Sequence, residues 1–184
     1  MKYTKNGFTL IELMISITIF FIIVMMSYAN YAYYSNIMRV KLSLKEISQS
    51  INEARNLAIA WFDKNGINQS IWVYFNQEMN KNVIQFYSFD YNSWITVDTA
   101  HLLKERKLQD NVWIEKLWSW SISKKQVMIY FSSIYAQPDM YYDGNYTNTW
   151  SETELDFVLS FRWAKNFPLK RELKYFKDTN VVDY

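Results

Sequence analysis

Lys5-Asn6-Gly7-Phe8-Thr9-Leu10-Ile11-Glu12-Leu13 opens the stretch that decides the fold, and it sets one carboxylate at the start of a long apolar run. From Phe8 to Met26 the chain is almost wholly apolar, and Glu12 is its only charge. A basic heptapeptide, Met1–Gly7, carries Lys2 and Lys5 ahead of it. An ionised carboxylate near hydrocarbon costs on the order of 3 kcal/mol at a helix centre, so Glu12 requires a partner. The run from Phe8 to Ala29 is 22 residues. That makes roughly 33 Å of helix at about 1.5 Å per residue, enough to cross a bilayer.

Hydropathy alone leaves two readings of this run, a plain anchor or a secretory signal cut after Ser27-Tyr28-Ala29. The second puts a charge inside an apolar region that normally carries none. The string Gly7-Phe8-Thr9-Leu10-Ile11-Glu12-Leu13 instead resembles the class III signal of type IV prepilins and type II secretion pseudopilins. That resemblance implies cleavage between Gly7 and Phe8 by a prepilin peptidase and N-methylation of Phe8. It also implies that Glu12 pairs with the Phe8 amine, of a neighbouring subunit or its own, during filament assembly. Gly7 suits the scissile position because a residue without Cβ lets the chain enter a tight cleft extended. An ion pair in low dielectric is strong because its unpaired alternative is so poor.

Charge bias does not settle orientation. Lys2 and Lys5 favour a cytoplasmic N-terminus, but Arg39, Lys41 and Lys45 follow the run on its other side. The resemblance implies a single pass through the cytoplasmic membrane with the N-terminus inside, followed by entry into an extracytoplasmic filament.

Beyond the apolar run, Leu44, Ile47, Ile51, Ala54, Ala58 and Trp61 recur at helical spacing. Lys45, Gln49, Asn52, Glu53 and Asn56 fill the remaining surface. The spacing predicts one uninterrupted helix from Phe8 to Phe62, ended by Asp63-Lys64-Asn65-Gly66 with Gly66 as a left-handed cap. Tyr28, Tyr31, Tyr33 and Tyr34 fall where aromatic side chains meet headgroups or neighbouring helices.

After Gly66 the period changes to that of strands. Ser70–Asn76 and Val83–Asp90 read as a hairpin, with further strands at Trp94–Val97, Val112–Leu117, Val127–Ser132, Leu155–Arg162 and Glu172–Phe176. His101–Lys107 reads as a short helical turn and Pro138–Ser151 as a polar loop. The expected fold is α+β, a long N-terminal helix packed on an antiparallel β-sheet head, which is also the pilin layout. The expected divisions are a leader at 1–7, a membrane and filament-core helix at 8–29, its amphipathic continuation at 30–65 and a β-rich head at 66–184. Within the family, Asn52-Glu53-Ala54-Arg55-Asn56-Leu57-Ala58 is similar to the helix preceding the sheet in minor pseudopilins of the H type. The missing cysteines argue against the major pilins that carry a disulfide loop.

Composition narrows the function further. Half the residues are apolar and 21% charged, which excludes global disorder. Removing Lys2 and Lys5 with the leader leaves 18 basic residues (20 less 2) against 18 acidic ones, so bulk charge offers no attraction to nucleic acid. No cysteine is present to form a disulfide, a thiolate metal site or a nucleophile. The single histidine, His101, stands in no catalytic motif, and phosphate-loop, dinucleotide and zinc-protease patterns are missing. Asp139, Asp143 and Asn145 lack EF-hand spacing. The sequence therefore predicts a structural subunit, not an enzyme, with no metal and no cofactor. Its expected partners are a prepilin peptidase, other pilin-like subunits and the membrane.

An alternative comes from Arg162, Lys165, Lys170, Arg171, Lys174 and Lys177, set against Glu172 alone. Such a strip suits phosphate contacts, and minor pilins of DNA-uptake systems resemble this arrangement. A solvated edge whose lysines discourage strand pairing accounts for the same pattern.

Glycine and tryptophan usage is anomalous. Ordinary usage of about 7% predicts roughly 13 glycines, whereas the chain has three, alongside eight tryptophans. Trp94, Trp118, Trp120 and Trp150 lie in polar, turn-like surroundings where glycine is the usual choice. Some bacteria read UGA as glycine while a common translation table reads it as tryptophan. The pattern predicts that several of these positions are glycine in the living protein.

Overall fold

The computed structural model describes residues 9–65, 69–77, 82–90, 101–119, 122–132, 138–142, 153–161, 170–179 and 181–183. Among the described residues a single helix, α1, runs Leu10–Asn65. The chain divides into two compact units, Met1–Met38 and Arg39–Tyr184.

In the first unit, α1 is apolar and exposed around its whole circumference through Leu10, Met14, Phe21 and Met25. It is long and apolar enough to cross a membrane. Its hydroxyls bond back to their own helix: Ser16 Oγ donates to the Glu12 carbonyl at 2.8 Å, Thr18 Oγ1 to Met14 at 2.8 Å and Ser27 Oγ to Ile23 at 2.9 Å. No polar side-chain atom of these three is left to hydrocarbon, where an unsatisfied group is most costly.

In the second unit, the remainder of α1 shares one core with two five-stranded antiparallel sheets. The strands are β1 (Gln69–Asn76), β2 (Val83–Asp90), β3 (His101–Lys107), β4 (Val112–Ser119), β5 (Ile122–Lys124), β6 (Gln126–Phe131), β7 (Pro138–Tyr142), β8 (Glu154–Phe161), β9 (Lys170–Phe176) and β10 (Val181–Asp183). Sheet A has the order β3-β2-β1-β6-β7 and sheet B the order β10-β9-β8-β4-β5. Val40, Leu44, Ile47, Ile51, Ala54 and Ala58 make the buried stripe of the helix, at steps of four and three that keep them on one face. They join Val73, Phe75 and Ile129 of sheet A and Leu117, Phe157 and Tyr175 of sheet B. The Phe75 and Phe157 rings meet edge-to-face at 4.9 Å and tie the two sheets together. Burial pushes the Tyr175 hydroxyl well above its ordinary value, the Arg55 charge opposing this only in part.

Polar contacts fix the strands to the helix. Glu53 of α1 accepts from Lys104 and, at 2.7 Å, from Arg106, both on β3. The turn from β3 to β4 docks through the Gln109 N–H on Ser43 Oγ at 3.1 Å and through Gln109 Nε2 on Glu46 at 2.7 Å. Asn111 in that turn has φ 65°, the left-handed region that asparagine tolerates better than most residues. The far face of sheet A carries a second, aromatic cluster in which Trp72 stacks on Tyr141 at 5.6 Å.

Three sequence expectations are corrected. His101–Lys107 is strand β3, not a helical turn. Its pairing from Val83↔Lys107 to Ser88↔His101 is non-local, and as an exposed, charged edge strand it shows no apolar alternation to read. Pro138–Tyr142 is strand β7, not loop; Pro138 is its first residue, at a sheet edge where a missing N–H breaks no ladder. Trp118 stands within β4 opposite Asp156, not in a turn. Strands β5 and β10 escaped the sequence reading because three residues are too few to show a period. Trp94–Val97, Gly66, Trp120, Trp150 and residues 143–151 lie outside the described residues.

Candidate assembly site

Gly7 and Phe8, the expected processing residues, lie outside the described residues. Glu12 is in the first turn of α1. Its Oε2 accepts the Thr9 backbone N–H at 2.9 Å and the Thr9 hydroxyl at 2.8 Å, and the Glu12 N–H points back to Thr9 Oγ1 at 3.4 Å. Thr9 is thus the N-cap and Glu12 the third helical residue of a reciprocal cap. The free N–H groups of a helix start are its positive end, which suits a carboxylate there. Oε1 of Glu12 carries no hydrogen bond among the described residues. One oxygen therefore closes the helix while the other stays open to a cation. Sequence reasoning passed over Thr9, although the signal was the Thr-x-x-Glu spacing itself.

The basic strip is not a row of free cations. Lys170 pairs with Glu115 of β4. Lys174 pairs with Glu154 at 2.7 Å and approaches Asp156 at 3.8 Å, both on β8. Lys177 pairs with Asp139 of β7 at 2.9 Å. Arg171 is exposed, while Arg162 and Lys165 lie outside the described residues. The hydrogen bond that Lys174 donates to Glu154 raises the ammonium above its ordinary value, helped by the Asp156 charge. Phosphate binding needs uncompensated charge, and carboxylates from residues 115, 139, 154 and 156 compensate three members of the strip. His101 is exposed at the start of β3, and no group of three metal-ligating side chains is found among the described residues.

A family model for the prokaryotic N-terminal methylation motif matches residues 2–28. No curated protein and no solved structure matches the chain. The matched segment holds the residues expected as a leader, the capped carboxylate of Glu12 and the start of the apolar helix. The chain thus carries the prokaryotic N-terminal methylation motif ahead of one long helix and antiparallel sheets, the α+β layout expected of a pilin-like protein.

Proposed function

We propose that this chain is a minor pilin-like subunit of a type IV pilus or a type II secretion-like filament. The observation that carries the proposal is the methylation motif at residues 2–28, with Glu12 as the sole charge of an otherwise apolar, fully exposed helical run. A prepilin peptidase removes Met1–Gly7 and methylates Phe8. The run 8–29 holds the subunit in the cytoplasmic membrane until assembly, when the open Glu12 oxygen takes the Phe8 amine of a neighbour or of its own chain. The chemistry of this chain is done to it and not by it.

Mass spectrometry of the mature chain from cells making a prepilin peptidase tests this. A methylated Phe8 at the N-terminus is the expected result. A chain beginning at Asn30 would mean ordinary signal-peptidase processing and would end the filament reading.

A further inference from the structure

The unit Arg39–Tyr184 has two charged surfaces backed by the same core. On α1, the buried stripe at Leu44, Ile47 and Ile51 leaves an opposite side formed by Lys41, Leu42, Lys45, Asn52 and Asn56, all exposed. Lys41 and Lys45 are one turn apart, so they repel each other. Neither has a carboxylate partner among the described residues. The carboxylates of this helical stretch serve elsewhere: Glu46 bonds Gln109, and Glu53 bonds Lys104 and Arg106. Leu42, between the lysines, is 50% exposed.

On sheet B the alternation of strands sends Leu155, Phe157, Leu173 and Tyr175 into the core. Glu154, Asp156, Val158, Glu172 and Lys174 therefore point away from it. The register sets Asp183, Lys174 and Asp156 side by side across β10, β9 and β8, and Val158 beside Glu172. Lys170 with its partner Glu115 and Lys116, opposite Val158, share this face, so five carboxylates (Glu115, Glu154, Asp156, Glu172 and Asp183) stand against three lysines (Lys116, Lys170 and Lys174). Burial raises the Asp156 carboxyl above its ordinary value, and the charges of Glu154 and Glu172 add to the rise while Lys174 opposes it. A sequence-level basic strip has become a net acidic face.

Both surfaces point outward from one core, so they do not meet within a chain. We infer that they meet between copies, the Lys41–Lys45 side of α1 in one subunit docking on the Glu154–Asp156–Glu172 face of sheet B in the next. The contact joins two different patches, so it is head-to-tail and can propagate along an open filament when its rotation does not close a ring. It rests on the filament reading above and adds a head-to-head contact to it.

The chain has no cysteine of its own, so introduced pairs report proximity without background. Leu42→Cys and Val158→Cys are placed together in the full-length chain, made in cells with a prepilin peptidase and an assembly ATPase. Mild oxidation of the membranes should give a ladder of multimers, while each single variant stays monomeric. Adding Lys45→Glu should abolish the ladder, and adding Glu172→Lys to that chain should restore it. A chain carrying only Ile15→Cys, in the apolar helix, reports filament packing independently. If Ile15→Cys cross-links while the Leu42/Val158 pair does not, or if Lys45→Glu leaves the ladder intact, the docking contact is overturned and the filament stands. If neither chain cross-links, both fall.

Discussion

Glu12 and Thr9 bond each other reciprocally, the carboxylate taking the Thr9 N–H at 2.9 Å and its hydroxyl at 2.8 Å. The pair closes the one helix end that lies in the matched motif. Thr9→Ala should cost about 1 kcal/mol at the helix start. In detergent micelles, amide exchange at Leu10–Leu13 should then speed up roughly fivefold, while Thr9→Ser stays near wild type. Unchanged exchange in the alanine variant would show that the cap contributes nothing.

Charge and cap separate at Glu12 itself. Glu12→Gln keeps an oxygen for Thr9 but removes the charge, whereas Glu12→Val removes both. Membrane insertion should survive in each, since the apolar run is long enough without Glu12. Filament incorporation, read by shearing and immunoblotting, should fail in both if the charge is what the Phe8 amine requires. Normal incorporation of the glutamine variant would remove the ion pair from the proposal.

Ile51 is fully buried against both sheets. Ile51→Ala should cost about 2–5 kcal/mol, the lost transfer energy plus a cavity. Asn52→Ala on the exposed side should stay within about 0.5 kcal/mol. Urea unfolding of the full chain in detergent measures both, and equal effects would contradict the assignment of the buried face.

Asp156 gives a pH signature. Burial holds its folded-state carboxyl above the ordinary 3.8, so the fold binds that proton more tightly than the unfolded chain does. Stability from this group is complete below the ordinary value and is lost as pH rises through the folded one. Asp156→Asn should therefore melt higher than wild type at pH 7, and the gap should narrow as the pH falls below 3.8. A gap independent of pH would point to packing instead.

Trp113 and Trp118 each bury an indole nitrogen that finds no hydrogen-bond partner among the described residues, a cost native proteins mostly avoid. Recoding predicts tryptophans exposed in loops, whereas Trp72, Trp113 and Trp118 all stand in strands, so the glycine reading rests on usage and on the unpaired nitrogens of Trp113 and Trp118. Peptide masses from the native organism should show glycine at residue 118, and UGG codons at most of the eight tryptophan positions would refute the idea.

Much of the fold was legible in the chain because its signals are local. The six-residue stripe from Leu44 to Trp61 spells out a helical face by spacing alone, and Val83–Asp90 emerges as a strand with the same ends. Strands β3 and β7 were not legible, since both stand at sheet edges where pairing with the preceding strand, and not a clear side-chain alternation, makes the strand.

The assembly site divides the same way. Glu12 follows from one charge in an apolar run, and its cap from a spacing of three; both interactions lie within a single helical turn. The meaning of the 162–177 cations did not follow, because their counter-charges come from strands up to 55 residues away. By itself the sequence determined the apolar run, the methylation motif and the helix, whose signals close over neighbouring residues. Only the tertiary structure decided which charges are cancelled and which remain for a partner, because that depends on strand register, which the hydrophobic core sets across the whole chain.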